Sequence, residues 1–390
     1  MHRFRIGIWV ALSAAVVFTA RPALAATSWS IVPAPPTGEN AFLTGVSAVS
    51  ASHAWAVGSE NAELNGVGAK PVIDSWNGAA WSQVSTPATA GNTASLAAVS
   101  ASSPTDAWAV GRTQVNREDI TGLTMHWNGT AWTTVPAVDY GVENILVSVA
   151  DISPADAYAA GDSSASAQGF IEQWNGTNWS LLTLPDPNNG KNTYLDAVSA
   201  SSATDVWAAG IELTGTTAAN ERYQTYSLHW NGSTWAIVPM PMLTGANNLL
   251  QYQFNSIDAI SPANVWAVGD SGDSVGEGGT PTATVIEHYN GTSWSIVPSP
   301  SAGNAPTLTG VSAISASNVW AVGHDTPAGA TTPQTLTLNW NGSAWSTVSS
   351  PDAGTSSTLD AVSALPGGEV RAAGYSGLAG SYNPLALQNG

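Results

Sequence analysis

The stretch His126-Trp127-Asn128-Gly129-Thr130-Ala131-Trp132 is one of six similar copies along the chain. Each copy contains an aromatic residue, an Asn-Gly pair and, five residues after that aromatic, a Trp. Asn and Gly tolerate the positive φ of tight reversals, so an apolar run on each side of them predicts a β-hairpin. The chain is therefore predicted to be a tandem array of hairpins. The first and second aromatics of the other copies are Trp76 and Trp81, Trp174 and Trp179, Trp230 and Trp235, Tyr289 and Trp294, and Trp340 and Trp345.

Each hairpin is the second half of a longer repeat of four short strands, which we call strands a to d. Strands a and b each occur seven times. A repeat of this kind predicts an all-β, seven-bladed β-propeller with four antiparallel strands per blade. The marker of strand a is Val46, Val99, Val149, Val198, Ile257, Val311 and Val362, and that of strand b is Trp55, Trp108, Tyr158, Trp207, Trp266, Trp320 and Arg371.

The outer strands predict how the ring closes. A seventh copy of the strand c motif stands at the end of the sequence, at Gln388-Asn389-Gly390, without its following Trp, and an unpartnered strand d lies at Trp29. If residues 27–29 followed Gly390, the spacing would equal that of the other copies. The N-terminal strand is therefore predicted to complete the last blade, which removes an open edge. Residues 26–390 then form one propeller domain.

Residues 1–25 have the pattern of a signal peptide, with basic Arg3 and Arg5, an apolar run and a small-residue cleavage site at 23–25. After cleavage the net charge is 6 − 27 = −21. We therefore expect a secreted, extracellular protein that crosses no membrane and binds no nucleic acid. The chain has no cysteine, which excludes disulfides and thiolate chemistry. We expect a monomer.

The motifs Leu-x-x-Val-Ser-Ala, Trp-Ala-Val-Gly and Trp-Asn-Gly-x-x-Trp resemble the repeats of secreted actinobacterial β-propeller proteins. They also resemble Asp-box (sialidase-type) and photosystem II assembly-factor-like propellers and, more distantly, kelch propellers. The resemblance covers residues 27–390 and implies the fold. Asn-Gly-x-x-Trp replaces the longer turn of a true Asp box, which is structural in that family and lies away from the active centre. The resemblance thus implies no catalytic residue.

Loop lengths divide the predicted propeller into two faces. The a-to-b spacing is nine residues in every unit, and the c-to-d spacing is five. The b-to-c spacing ranges from 16 to 23 and the d-to-a spacing from 17 to 22. We call the side of the a–b and c–d turns the fixed face and the opposite side the variable face, where function is expected. Five cations are assigned to variable-face loops: Lys70, Arg112, Arg117, Lys191 and Arg222.

Several polar residues repeat at one position per blade and are predicted to be structural. They are His126, His229 and His288 before the strand c aromatic, and Asp106, Asp156 and Asp205 before strand b. We expect no cofactor. The acidic stretch with Asp270, Asp273 and Glu277 leaves open a calcium ion, although its spacing does not match an EF-hand.

The sequence favours a protein without catalysis, because it contains no serine-hydrolase elbow, metalloprotease motif or phosphate loop. The predicted function is extracellular binding through the variable face, with a carbohydrate or cell-envelope component as ligand. Two alternatives stay open. One is a glycan-cleaving enzyme, a glycoside hydrolase or polysaccharide lyase, with carboxylates at the mouth of the central channel; the other is a protein–protein interaction scaffold.

The candidate site lies where the second residue of each strand a meets the channel mouth. Aromatic rings beside carboxylate, amide and guanidinium groups suit a polar, ring-shaped ligand. Such residues concentrate at the third to fifth blades, so we expect binding there in preference to the rim of the seventh and first blades. Tyrosines that merely pack long loops would give the same pattern. The candidate binding residues are Lys191, Tyr194, Asp196, Arg222, Tyr223, Tyr252, Asn255 and Asp360.

Overall fold

The computed structural model describes residues 28–35, 37–61, 68–116, 119–140, 143–163, 167–187, 190, 192–214, 222–241, 251–272, 281–300, 302–378 and 381–390, without the side chains of residues 222, 251 and 252. The signal-peptide prediction falls outside these residues. Among them, no helix is long and apolar enough to span a bilayer.

The described residues form seven four-stranded antiparallel sheets, so the predicted fold is confirmed. β1 (Trp29–Val32) is followed by six blades that are continuous in sequence. Blade 1 is β2 (Phe42–Ser50), β3 (His53–Glu60), β4 (Lys70–Trp76) and β5 (Trp81–Gln83); blade 2 is β6 (Thr93–Ser103), β7 (Asp106–Asn116), β8 (Asp119–Trp127) and β9 (Trp132–Val135); blade 3 is β10 (Asn144–Ser153), β11 (Asp156–Ser163), β12 (Gln168–Trp174) and β13 (Trp179–Leu181).

The remaining blades repeat the same order of strands. Blade 4 is β14 (Thr193–Ser202), β15 (Asp205–Thr214), β16 (Arg222–Trp230) and β17 (Trp235–Val238); blade 5 is β18 (Gln251–Ser261), β19 (Asn264–Gly272), β20 (Pro281–Tyr289) and β21 (Trp294–Ile296); blade 6 is β22 (Asn304–Ser315), β23 (Asn318–Thr326), β24 (Gln334–Trp340) and β25 (Trp345–Thr347); blade 7 is β26 (Ser357–Ala364), β27 (Val370–Leu378), β28 (Ser381–Asn389) and β1.

The N-terminal strand closes the ring as predicted. β1 pairs antiparallel with β28, from Trp29 opposite Asn389 to Val32 opposite Ala386. The Trp29 indole is buried and meets the Trp320 ring edge-on, with 5.5 Å between ring centroids. The last blade therefore consists of strands from both ends of the described chain.

Tryptophan packing joins neighbouring blades. The strand b aromatic of one blade packs against the paired aromatics on strands c and d of the next blade. The Trp108 ring lies 4.9 Å from that of Trp174 and 4.8 Å from that of Trp179. Such contacts recur at the blade boundaries, where each buried cluster combines residues of two blades. Burial of large aromatic surfaces thus holds the ring together.

Blade 7 replaces the strand b aromatic. Arg371 stands in the strand b position and is buried, with its guanidinium 4.1 Å from the ring centroid of Trp76. The same guanidinium donates to the Ala51 carbonyl at 3.3 Å and forms an ion pair with Glu369. A cation above an aromatic face replaces the usual pair of rings.

A close approach between strands a and b explains the glycine of Trp-Ala-Val-Gly. A Cβ atom on Gly111 would lie 2.0 Å from the carbonyl oxygen of Ser95 on the paired strand. The equivalent position in every blade shows the same obstruction, at 1.9–2.1 Å, for Gly58, Gly161, Gly210, Gly269, Gly323 and Gly374. No side chain fits at this position without separation of the two strands.

The c–d turns differ in one respect from the sequence-based expectation. Only the glycine adopts positive φ, as in Gly129 at 89°. The preceding asparagine acts through its side chain instead, because Asn128 Oδ1 accepts the N–H groups of Thr130 and Ala131 at 3.0 and 3.1 Å. Asparagine is thus an Asx cap of the turn.

Candidate functional site

The inner strands line a central channel, and a backbone irregularity sets which residues reach its mouth. Between Leu195 and Ala197 the register of β14 on β15 skips one residue, so that Asp196 is the extra residue of a β-bulge. A bulge redirects a side chain without interrupting the sheet. All seven bulged residues line a cavity of about 340 Å³, as predicted for this position: Thr44, Ala97, Val147, Asp196, Asn255, Thr309 and Asp360.

A ring of serine side chains surrounds the channel below its mouth. Ser47 Oγ of blade 1 accepts the Ala101 N–H of blade 2 at 3.1 Å. Asp258 accepts the Ala313 N–H in the same way at 2.7 Å. The repeated serine of Leu-x-x-Val-Ser-Ala therefore has a structural role. The other such bonds run from Asp151 N to Ser100, from Ala259 N to Ser199, from Ala364 N to Ser312 and from Ala48 N to Ser363.

At the mouth itself, three bulged residues donate hydrogen bonds across blade boundaries. Thr44 Oγ1 donates to the Leu96 carbonyl at 2.9 Å. In the same way Asn255 Nδ2 donates to the Leu308 carbonyl at 2.8 Å, and Thr309 Oγ1 to the Leu359 carbonyl at 2.6 Å. Asp196 and Asp360 occupy the same position in blades 4 and 7. A carboxyl group can act as a donor there only when it is protonated.

The channel environment favours the protonated form of both carboxyls. Burial, and then the nearby negative charge of Asp162, raise the pKa of Asp196 well above its usual value. Burial raises the pKa of Asp360 to about 7. Each side chain keeps some surface open to the channel, but the walls of that channel are protein, so the carboxylates are poorly solvated. The burial of Asp162 likewise raises its pKa to about 7, although it accepts the Leu195 N–H.

The structure brings together some of the candidate binding residues. Tyr194 and Tyr223 are half-buried, and their ring centroids lie 6.2 Å apart. We call this pair the tyrosine arc. Asp196 and Asn255 lie at the channel mouth in blades 4 and 5, whereas Asp360 reaches the channel from blade 7. Lys191 and the side chains of Arg222 and Tyr252 lie outside the part that the structure describes.

Three rings on the rim of blades 7 and 1 form an aromatic cluster that the sequence analysis did not select. Phe42, Tyr375 and Tyr382 are half-buried, with ring centroids 5.1–6.2 Å apart. Phe42 precedes the repeated Leu43, as Tyr194 precedes Leu195, and Tyr375 follows the repeated glycine. A comparison of these two repeat positions among the blades would have found Phe42 and Tyr375.

The assignment of cations to variable-face loops was wrong for three of the five residues. Lys70 and Arg222 begin β4 and β16, and Arg112 lies within β7. The strands extend beyond the repeated motif toward the variable face, where their sequences no longer resemble one another. Spacing between motifs therefore could not show where the strands end.

The repeated histidines stack on strand b tryptophans. His126 lies 4.4 Å from the ring centroid of Trp108, and its Nε2 lies 2.7 Å from Asp106 Oδ1. His229 has the same relation to Trp207 and Asp205. This geometry matches the predicted structural role, because both partners of each histidine belong to its own blade.

Of the three acidic residues considered for calcium, only Asp270 lies in the described ranges. Asp270 is buried and accepts Asn255 Nδ2 at 3.3 Å, whereas Asp273 and Glu277 lie outside the described ranges. Among the described residues no group of three His, Asp or Glu is arranged to hold a metal ion. A calcium site thus stays a prediction.

Comparison with known proteins supports the fold alone. No protein-family model and no curated protein matches the chain. Among solved structures, "YCF48 bound to D1 peptide" has a TM-score of 0.54 at 14% identity, covering 94% of this chain and 96% of its own. YCF48 from Cyanidioschyzon merolae gives 0.53 at 13% identity, covering 93% and 98%. A GH74 xyloglucanase from Xanthomonas campestris gives 0.54 at 12% identity, covering 92% of this chain and 55% of its own.

Proposed function

We propose that this chain is a non-catalytic extracellular binding protein that holds its ligand on the variable face, over the channel mouth. The observation that carries the proposal is the set of bulged residues. One backbone position repeated seven times presents threonine, alanine, valine, aspartate and asparagine around a single opening. A rigid frame with a varied rim is the usual construction of a recognition surface.

The proposed ligand is a carbohydrate or another component of a cell envelope. The tyrosine arc offers two half-buried rings, and the rim cluster of Phe42, Tyr375 and Tyr382 offers three more. Partly exposed aromatic faces bind the apolar faces of sugar rings, and the channel supplies amide, hydroxyl and carboxyl partners for the sugar hydroxyls. The extracellular location belongs to the same proposal, and N-terminal sequencing of secreted protein should give Ala26 as its first residue.

One observation favours a second function, cleavage of a glycan. Asp162 and Asp196 interact electrostatically near the channel mouth, and burial raises the pKa of both carboxyls. Glycosidases use two carboxyls, of which one has a raised pKa and acts as the acid while the other is ionised. The structural roles of these two residues nonetheless favour a binding function over catalysis. Asp162 accepts the Leu195 N–H, and Asp196 occupies the position from which Asn255 donates a hydrogen bond to the next blade. A protein scaffold is the third candidate, because one structural neighbour, YCF48, is bound to a peptide.

A binding array separates these functions. Purified protein is applied to immobilised glycans and peptides, and the bound glycans are assayed for release of reducing ends. We expect saturable glycan binding without release. Tyr223→Ala on the variable face should weaken it, while Ala79→Tyr on the exposed c–d turn of the fixed face should not. Reducing-end release that Asp196→Asn abolishes would establish the enzyme instead, and binding to peptides alone would establish the scaffold.

A further inference from the structure

A second opening lies beside the channel mouth, between blades 1, 2 and 3. It has a volume of about 230 Å³. Its apolar wall is formed by Phe42, Leu96, Ile145 and Val147, of which all but Leu96 are half-buried. Arg112 stands on the wall of the same cavity. We call this cavity the Arg112 pocket.

Arg112 is an unusual residue in this protein. The sequence contains nine Lys and Arg against 27 Asp and Glu. In the described part of the chain, the exposed guanidinium of Arg112 forms neither a hydrogen bond nor an ion pair. Arg371, by contrast, is buried and paired with Glu369. A free guanidinium next to apolar surface is a ready partner for an anion, since it can donate two parallel hydrogen bonds to one carboxylate.

We propose that the Arg112 pocket binds an apolar group that carries a carboxylate. The carboxylate pairs with Arg112, and the apolar part packs on Phe42, Ile145 and Val147. This volume is smaller than the roughly 300–1,000 Å³ of pockets that enclose whole small molecules. The pocket therefore accommodates either a small free carboxylic acid or the carboxylate end of a longer chain. The Arg112 pocket is a different site from the tyrosine arc. The inference rests on the proposed function only in that both sites lie on the variable face.

The residue after the repeated glycine distinguishes the Arg112 pocket from the equivalent positions in blades 3 and 5. In blades 3 and 5 the residue after the repeated glycine is Asp162 or Asp270, and neither supplies a positive charge for a carboxylate. In blade 2 that residue is Arg112, and its cross-strand neighbour Ser95 lines the same pocket. Charge complementarity therefore selects this part of the rim.

Methyl NMR of protein labelled with ¹³C at isoleucine tests the proposal. The Ile145 methyl lines the pocket, and the fully buried Ile73 reports on the fold. The probes are 4-methylpentanoate, N-acetyl-Ala-Ala-Leu with a free carboxyl end, and the amide of each. We expect both carboxylates to shift the Ile145 signal saturably, with dissociation constants of about 1 mM. Tighter binding of the peptide would indicate a chain end as the natural ligand, and equal binding a free acid.

Two variants test whether binding depends on the charge of Arg112 itself. Arg112→Gln should weaken both carboxylates about tenfold, because a charge-assisted hydrogen bond is lost. Lys70→Gln removes another exposed cation of the same face and should change nothing. Amides that bind as well as the acids, an Arg112→Gln variant that binds normally, or an unmoved Ile145 signal would each overturn the proposal. If array ligands still bind the variable face in that case, the pocket assignment fails and the proposed function stands.

Discussion

Asn255 Nδ2 donates to the Leu308 carbonyl at 2.8 Å and thereby joins blade 5 to blade 6. Asp196 and Asp360 hold the same position at the boundaries of blades 4 and 7. Asp196 Oδ2 is buried without a partner among the described residues, so nothing there compensates the negative charge of an ionised carboxylate. The raised pKa of both groups agrees with protonated side chains that take the place of the Asn255 amide.

This relationship predicts opposite effects of exchanging the two residue types. Asp360→Asn should stabilise the protein at pH 8 by about 1–3 kcal/mol, because a neutral donor replaces a charged acceptor. Asn255→Asp should destabilise it by a similar amount. Denaturant unfolding at pH 8 and pH 5 measures both. The two effects should shrink at pH 5, where the carboxyls are protonated, and equal effects at both pH values would contradict this account.

The pH dependence of the whole protein follows from several buried carboxyls. Burial raises the pKa of Asp74 and Glu172 to about 7 and that of Glu287 to about 8. Unfolded carboxyls titrate near pH 4, so the folded state binds more protons than the unfolded state between about pH 4 and 8. Stability is then greatest at acidic pH and is lost as pH rises through 7 to 8. We expect a higher melting temperature at pH 5 than at pH 8, and a flat or inverted profile would refute the raised values.

Asp74 and Glu172 occupy equivalent positions in blades 1 and 3, so the effects of replacing them can be compared. Both Asp74 carboxyl oxygens are buried and lack a partner among the described residues, whereas Glu172 accepts the Val138 N–H at 2.8 Å. Leu228 and Leu338 fill the same position in blades 4 and 6. Asp74→Leu should therefore stabilise the protein at pH 8 by about 1–3 kcal/mol. Glu172→Met should gain less, because it leaves the half-buried Val138 N–H without its acceptor. Equal gains measured by denaturant unfolding would contradict the difference between the two sites.

Ring closure predicts a large cost for a small change at the N-terminal strand. Trp29→Ala removes a buried indole from the contact with Trp320 and should destabilise the protein by about 3–5 kcal/mol. Ile31→Thr lies on the same strand, where its side chain is 45% exposed, and should change stability by less than about 0.5 kcal/mol. Thermal melts compare the two. A Trp29→Ala variant as stable as Ile31→Thr would mean that β1 does not secure the seventh blade.

The repeated glycine gives a steric prediction. A Cβ on Gly323 would lie 1.9 Å from the Thr307 carbonyl oxygen, whereas one on Gly367 meets nothing within 4 Å. Gly323→Ala should therefore cost at least about 2 kcal/mol, while Gly367→Ala should be neutral or slightly stabilising. Comparison of their unfolding midpoints tests the cause. Normal stability of Gly323→Ala would show that strands a and b can separate without cost.

The fold could be predicted because the motifs of strands a and b each occur seven times in the sequence. One copy that departs from the motif, such as Arg371 in place of a strand b aromatic, does not hide the pattern because the other six copies retain it. The closure at Trp29 followed from counting strands c and d. The serine ring could not be recognised, since each serine binds an amide in the next blade and no local pattern shows that contact.

The candidate site was predictable only where it coincides with the repeat. The channel-mouth residues were found because each occupies a fixed position in strand a. Arg112 was misplaced because β7 continues to Asn116, past the last repeated residue. The cluster of Phe42, Tyr375 and Tyr382 joins two blades whose strands are distant in sequence. Such contacts depend on ring geometry, which a linear pattern does not contain.

The pairing of β1 with β28 has a consequence for how the chain folds. Ser30 and Gln388, which are hydrogen-bonded, lie 358 residues apart in sequence. During synthesis β1 stays unpaired until the residues of the six continuous blades and of β28 have been made. Contacts of such long range in sequence also form slowly. The order of events is therefore fixed by topology: blades can assemble one by one, but the ring can lock only in a final step. We therefore expect refolding to pass through a state in which the first six blades are formed and β1 is still unpaired, so that Trp29 is buried last.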